Sequence, residues 1–410
     1  MISALFALSL ALSTSQTPST LDSIAADPTV QRAVTYIREN EAATLDEQVR
    51  LCEIPAPPFK ERTRAEAFRK ALETAGLKNV RIDRVGNVIG ERPGRSARPN
   101  VVLSAHLDTV FPEGTAVRMS RAGSVIKGPG ISDNCRGLAV VLGVLNALNE
   151  SQVQTPGTLT IVGTVGEEGL GDLRGVKHLF DRELKGRIDR FISVDGAGHG
   201  ITSAAVGSRR YRVTFKGPGG HSYGAFGMTN PIHALGRAIA RIAEFQVPAD
   251  PKTTFNVGRV GGGTSVNSIP FDAWMEVDMR SVDAAALSAL DRKFHQALDA
   301  ALADELKRWG NRGALSVERT LVGNRPAGRV ERSAPIVAAA IAASRSVGMA
   351  VSLEEGSTDS NYPISLGTPA VTLDGGGSGQ GSHSLEESFD STDSWKGTAR
   401  ALLLALALAR

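Results

Sequence analysis

Four mainly apolar runs, VVLSA (101–105), LTIVGTV (159–165), FISV (191–194) and AVTL (370–373), are continuous rather than alternating. A strand apolar on both sides must be covered on both sides, and that is the condition of a parallel sheet sandwiched by helices. Helix-like stretches lie between the runs. TRAEAFRKALETAG (63–76) repeats apolar residues at helical spacing and ends at Gly76, a natural residue for the turn after a helix, and LAVVLGVLNAL (138–148) is a second helix. The fold class expected is α/β, a mostly parallel sheet between helices.

That alternation is interrupted once. From 206 to 323 the order becomes strand (RRYRVTFKG), helix opened by Asn230 and Pro231, strand (TTFNVGRV), strand (FDAWMEVDMR), long helix (283–309) and strand (LSVERTLV), a split βαβ arrangement of the ferredoxin-like kind. A chain of 410 residues is too long for one ordinary domain. The expected organisation is therefore a catalytic domain in two pieces, 16–205 and 324–410, with an inserted α+β lid or dimerisation domain at 206–323. The apolar stretch Ile2–Leu12 has the length of a signal-peptide core, so 1–15 is expected to be a signal peptide and the protein exported, periplasmic or secreted. Without cleavage the protein would be cytoplasmic. ALLLALALA (401–409) is too short to cross a bilayer and is expected to be a buried helix capped by Ser391. The 46 basic and 43 acidic residues are scattered, which argues against a nucleic-acid partner, and no membrane partner is expected. Cys52 and Cys135, far apart and without a pairing pattern, exclude a disulfide framework though not a single bridge, and are expected to be free thiols.

In open sheets ligands gather beyond the carboxyl ends of strands, and here each run ends in chemistry. VVLSA leads into His106 and Asp108, LTIVGTV into Glu167 and Glu168, FISV into Asp195, and AVTL, after a glycine loop, into His383; Asp133 precedes the helix at 138. Singly, an HxD pair is most often a hydrogen bond and an EE pair solvated surface. Together on one rim, so many carboxylates would repel unless cations intervened. Imidazole mixed with carboxylate suits zinc, cobalt or manganese better than calcium or magnesium, and the number of donors is enough for two ions. Successive side chains at a strand end point in different directions, so Glu168 can hold a metal while Glu167 serves as general base.

SAHLDTV, GISDNCRG, GTVGEEGLGD, SVDG, GGHS and GSHSLEE, in this order, resemble the dinuclear zinc peptidases and amidohydrolases that include peptidase T, carboxypeptidase G and aminoacylase. The resemblance runs from LCEIPAPP at 51 almost to the C-terminus. It implies that Asp133 bridges two divalent ions, zinc before cobalt or manganese. His106 and Asp195 would complete one site, and Glu168 and His383 the other. Asp108 would orient His106, and Glu167 would take a proton from a metal-bridging water that attacks the scissile amide. It further implies that His221 reaches the partner subunit's site as an oxyanion donor in a homodimer, that Asn267 and Arg280 hold the substrate and its carboxylate, and that the Asp133–Asn134 peptide is cis. One departure is Cys135, where the family often has Lys.

The expected activity is hydrolysis of short peptides by a peptidase T-like exopeptidase. The alternatives are an N-acyl-amino-acid amidohydrolase and a catalytically retired protein that binds peptides or amino acids; intact Glu167 argues against the last.

Overall fold

A computed structural model of the protein describes residues 20–410. The expected signal peptide, 1–15, lies outside the described residues. Among these, nine strands form the main sheet, in the order Lys78–Ile82, Val88–Arg92, Thr158–Thr164, Asn100–His106, Arg190–Val194, Ala370–Leu373, Gly200–Ala205 and Gly328–Arg329, with Ser352–Gly356 also paired to Gly200–Ala205. The four strands from Thr158–Thr164 to Ala370–Leu373 run parallel, and these carry the four apolar runs. The flanks are mostly antiparallel. Strand Asn100–His106 is buried along its whole length. Val101, Leu103 and Ala105 face one core with the helices Pro28–Glu39, Cys135–Glu150, Pro335–Ser346 and Trp395–Leu408, whereas Val102 faces a second core with Val176, Leu179 and Phe191. The period of two in side-chain direction, with cover on both sides, is why the run needs no polar alternation.

The terminal helix is buried as expected, with Leu402, Leu403 and Leu404 in the core, each contributing about 1.5–3 kcal/mol. Its start differs from expectation. Ser391 does not cap it; its hydroxyl donates to Ser124 O at 2.9 Å, and the helix begins only at Trp395, with no side-chain cap. In plain terms, Ser394 precedes the helix directly and Ser391 is spent on a loop. The cysteines also differ from expectation: Cys52 and Cys135 form a disulfide with Cα atoms 5.4 Å apart. Sequence distance, 83 residues, concealed that the end of helix Glu41–Cys52 packs on the start of helix Cys135–Glu150.

Elements from Gly207 to Arg325 form a separate antiparallel sheet in the order Thr253–Gly262, Asp272–Ser281, Gly207–Lys216 and Ser316–Arg325. Strand Asp272–Ser281 alternates buried and half-buried residues, because helices Pro231–Ala243 and Ala284–Arg308 cover one face only. Val213, Phe215, Met275 and Phe294 fill that core. Asn230 caps its helix by accepting from the N–H of Ile232 and of His233, as the Asn-Pro pair predicts. No helix among the described residues is long and apolar enough to cross a membrane.

Candidate metal centre

His106 is the last residue of its strand and Asp195 the first after the neighbouring one, so the parallel pairing sets them side by side. Asp133 comes from the loop before helix Cys135–Glu150. Asn134 ties that loop to the rim: its side chain accepts from Gly137 N at 3.0 Å and donates to Val194 O at 2.8 Å. The Asp133–Asn134 peptide is cis. The loop is also held from below by Glu387, a fully buried carboxylate that accepts from Gly130 N at 2.9 Å, Ser132 N at 2.8 Å, Asp133 N at 2.9 Å and the Ser132 hydroxyl.

The result is a carboxylate shared by two imidazoles. Asp133 Oδ1 lies 3.0 Å from His106 Nε2, and its Oδ2 lies 3.2 Å from His383 Nε2. Asp195 stands 3.5 Å from His106 Nε2, and Glu168 stands 3.1 Å from His383 Nε2. His383 has φ of +68°, in the left-handed region that non-glycine residues seldom occupy. Two donor triads follow, His106, Asp133 and Asp195, and Asp133, Glu168 and His383, each with ligand atoms close enough for one ion. A further grouping of Asp83, His178 and Glu183 is committed elsewhere: Asp83 Oδ1 accepts from the N–H groups of Val85, Gly86 and Asn87, and Glu183 pairs with Arg81.

Asp108 reaches His106 through its main chain. Its backbone carbonyl, not its carboxylate, lies 3.0 Å from His106 Nδ1. The carboxylate, 3.8 Å from that ring, accepts instead from Glu167 N at 3.2 Å and Glu168 N at 2.8 Å. Asp108 therefore fixes the backbone of the Glu pair, which answers why two glutamates can stand adjacent at a buried strand end: their shared peptide is anchored, and their side chains diverge. Glu168 turns to His383, and Glu167 accepts from Arg325 Nη1 at 2.9 Å through Oε1.

Electrostatically the cluster is unbalanced without cations. Burial, with the charge of neighbouring carboxylates, pushes Glu167 well above the usual carboxylate range despite Arg325, and burial raises Glu168 as well. Hydrogen bonds that protonated His383 donates to the Asp133 and Glu168 carboxylates push it up to about 10. Burial would lower His106, yet the charges of Asp195 and Asp133 raise it well above its ordinary value. Imidazoles driven to hold protons by acids on every side form a donor set that divalent cations can occupy by displacing those protons.

The cluster opens onto a cleft of about 620 Å³, also lined by Arg210, Arg280, Arg325, Thr202, Ser357 and Asp374. Of the expected substrate residues, Arg280 lines it, its Nε held by Asp278 at 2.7 Å. His221 and Asn267 do not. Both are exposed and lie together at the short ladder Gly220–His221 with Ser268–Ile269, where Ser222 N donates to Asn267 O at 2.9 Å. Arg325, Glu387, Asp359 and Asp374 were missed by sequence reasoning. Asp359 is buried with Oδ2 accepting from Thr164, and burial pushes it up to about 6, as it does Asp374. For Arg325 the only signal was its place at the end of the inserted unit's last strand, where the chain returns to the rim.

Comparison with known proteins agrees with this architecture. Residues 102–407 match the model of Peptidase family M20/M25/M40. The chain is 28% identical over 238 residues to a succinyl-diaminopimelate desuccinylase of Corynebacterium glutamicum, covering 56% of this chain and 64%, under two thirds, of that protein. The crystal structure of aminopeptidase PepT from Bacillus cereus superposes with TM-score 0.72 at 22% identity, covering 90% of this chain and 99% of that one. The Bacillus subtilis YxeP protein, described as a dinuclear metal binding peptidase, superposes with TM-score 0.63 at 18% identity over 91% of this chain and 98% of that one. The match spans about three quarters of the sequence, and the chain belongs to peptidase family M20/M25/M40.

Proposed function

We propose that this protein is a dinuclear metal-dependent exopeptidase acting on short peptides. The observation that carries the reading is the position of Asp133, one carboxylate oxygen toward each of two His-carboxylate triads. His106 and Asp195 would hold one ion with Asp133, and Glu168 and His383 the other, and the mixed donor set favours zinc, with cobalt or manganese as substitutes. When bound, such a pair polarises the scissile carbonyl and acidifies the attacking water. Glu167 is the general base: Arg325 holds its Oε1, and among the described residues no donor reaches its Oε2. Glu167 takes the proton from water and returns it to the leaving amine. Arg280, oriented by Asp278, offers its remaining N–H groups to a substrate carboxylate.

The relationship to a desuccinylase supports one second reading, an N-acyl-amino-acid amidohydrolase. A homodimer through the inserted unit completes the proposal. Edge strand Thr253–Gly262 has a partner on one side only, and Tyr223, Phe226, Val266 and Phe271 are exposed nearby in sequence to His221 and Asn267, which would then serve the partner's cleft. The disulfide supports an oxidising compartment, in keeping with export. The deciding experiment is hydrolysis of a panel of di- and tripeptides and N-acyl amino acids by chelator-stripped protein restored with zinc, cobalt or manganese, alongside Glu167→Gln. Turnover is expected only with metal, and Glu167→Gln is expected to bind metal yet lose nearly all turnover; a variant retaining a tenth of the activity refutes the base.

A further inference from the structure

Asp374 follows strand Ala370–Leu373, which pairs in parallel with the strand that ends before Asp195. Leu373 stands opposite Val194, and Asp195 N donates to Leu373 O at 3.0 Å, so continuing the register puts Asp374 beside Asp195. Adjacent strands are about 4.8 Å apart. Asp374 thus stands one strand spacing from a proposed metal ligand, in the wall of the same cleft. Its carboxylate is positioned on one side only. Oδ2 accepts from Gly200 N at 2.7 Å, while among the described residues no donor reaches Oδ1. Arg400, a buried cation, donates to the backbone oxygen of Asp374 rather than to its carboxylate. The chain keeps the surroundings clear with glycine: a Cβ on Gly198, whose φ is +130°, would stand 2.5 Å from Oδ2. The cations of the cleft, Arg210, Arg280 and Arg325, come from the inserted unit's strands instead.

We propose that Asp374 is the specificity residue that accepts the free α-ammonium group of the substrate, while Arg280 of the inserted unit takes its carboxylate. The substrate class is then an unblocked peptide held at both charged ends, which makes the enzyme an aminopeptidase or dipeptidase rather than an acylase. This rests on the exopeptidase reading above. Distance selects the α-amine. In a peptide cleaved after its first residue, one carbon separates that nitrogen from the scissile carbonyl, a span of about 2.5 Å, so its acceptor must stand next to the metal ligands. A lysine ammonium, four methylenes further out, does not meet that condition. The cleft volume fits a small ligand and not a folded chain.

The test compares Ala-Ala, N-acetyl-Ala-Ala and N-acetyl-Lys-Ala as substrates of the metal-loaded protein and of Asp374→Asn, which keeps an acceptor for Gly200 N. A lost charge-assisted hydrogen bond corresponds to about a 10- to 100-fold change. Wild type is expected to prefer Ala-Ala over both blocked peptides by that factor, mostly through KM, and the Asn variant to lose the preference while keeping its melting temperature and metal content. Equal use of Ala-Ala and N-acetyl-Ala-Ala by wild type overturns the proposal. So does a variant that depresses all three substrates by one factor, the mark of a purely structural role, or one that selectively impairs N-acetyl-Lys-Ala. Calorimetric binding of Ala-Ala to both proteins separates the two readings. If nothing is hydrolysed but Ala-Ala binds with an affinity that depends on Asp374, the exopeptidase reading fails and the ammonium site stands; equal affinity for both proteins sinks the site.

Discussion

Removing the carboxylate of Glu387 should do more damage than removing any other single group that touches neither substrate nor metal. Its two oxygens accept from the N–H groups of Gly130, Ser132 and Asp133, the first two of these bonds buried and the third partly so. Glu387→Ala leaves the three N–H donors without partners and takes away the Ser132 hydroxyl's acceptor as well, at roughly 1–3 kcal/mol per N–H before water enters the gap, so a loss of about 3–6 kcal/mol is expected. Glu387→Gln keeps one acceptor oxygen and should cost about 1–3 kcal/mol. Because the clamp aims Asp133 at both histidines, zinc affinity should also fall by about 10- to 100-fold, the usual penalty for losing a ligand's support. Urea unfolding of the chelated protein reads the first effect and zinc calorimetry the second. The order wild type, Gln, Ala is expected in both. An Ala variant with the wild-type urea midpoint and zinc affinity would show that the loop holds itself and that the reasoning is wrong.

Arg325→Met should leave zinc content unchanged and lower kcat by about 10- to 100-fold, the worth of one charge-assisted hydrogen bond to the base; steady-state kinetics at saturating peptide would contradict this by showing an unchanged kcat. In the metal-free protein Asp359 has its carboxyl raised by burial from 3.8 to about 6, so the folded state binds more protons than the unfolded one between those values. Stability from this group is therefore complete below pH 4 and lost as pH rises through 6, by about 3 kcal/mol. Asp359→Asn should flatten that slope in urea midpoints taken from pH 4 to pH 8, and an unaltered slope would count against it. Replacing Cys52 and Cys135 with serine releases a closed loop, with an expected loss of about 3–4.5 kcal/mol and a lower melting temperature that reductant no longer changes. If wild type melts identically with and without reductant, the bridge contributes nothing.

Where a single element carried its own pattern, the sequence was readable. Continuous apolar runs announced the parallel centre of the sheet, and the Asn230-Pro231 pair announced a helix start that the structure has at Pro231. The rim residues were readable because each strand end is fixed by where its apolar run stops, so His106, Glu167, Glu168 and Asp195 could be found one strand at a time. What stayed hidden depends on elements meeting across the chain. The clamp from Glu387 to the Asp133 loop spans more than 250 positions, and Arg325 reaches Glu167 across 158. The disulfide depends on two helix ends meeting. Asp108 was located beside His106, but an HxD spacing cannot say whether the backbone or the carboxylate faces the ring, and here the carboxylate is taken by two backbone N–H groups.

The central claim is that His106, Asp133, Asp195, Glu168 and His383 hold two cations between them. Crystals of the zinc-loaded protein, with diffraction collected on either side of the zinc absorption edge, test it most directly. Two anomalous peaks are expected, one on each side of Asp133, each within bonding distance of one histidine. No peak at Asp133, or a single one at Asp83, His178 and Glu183, would contradict the account.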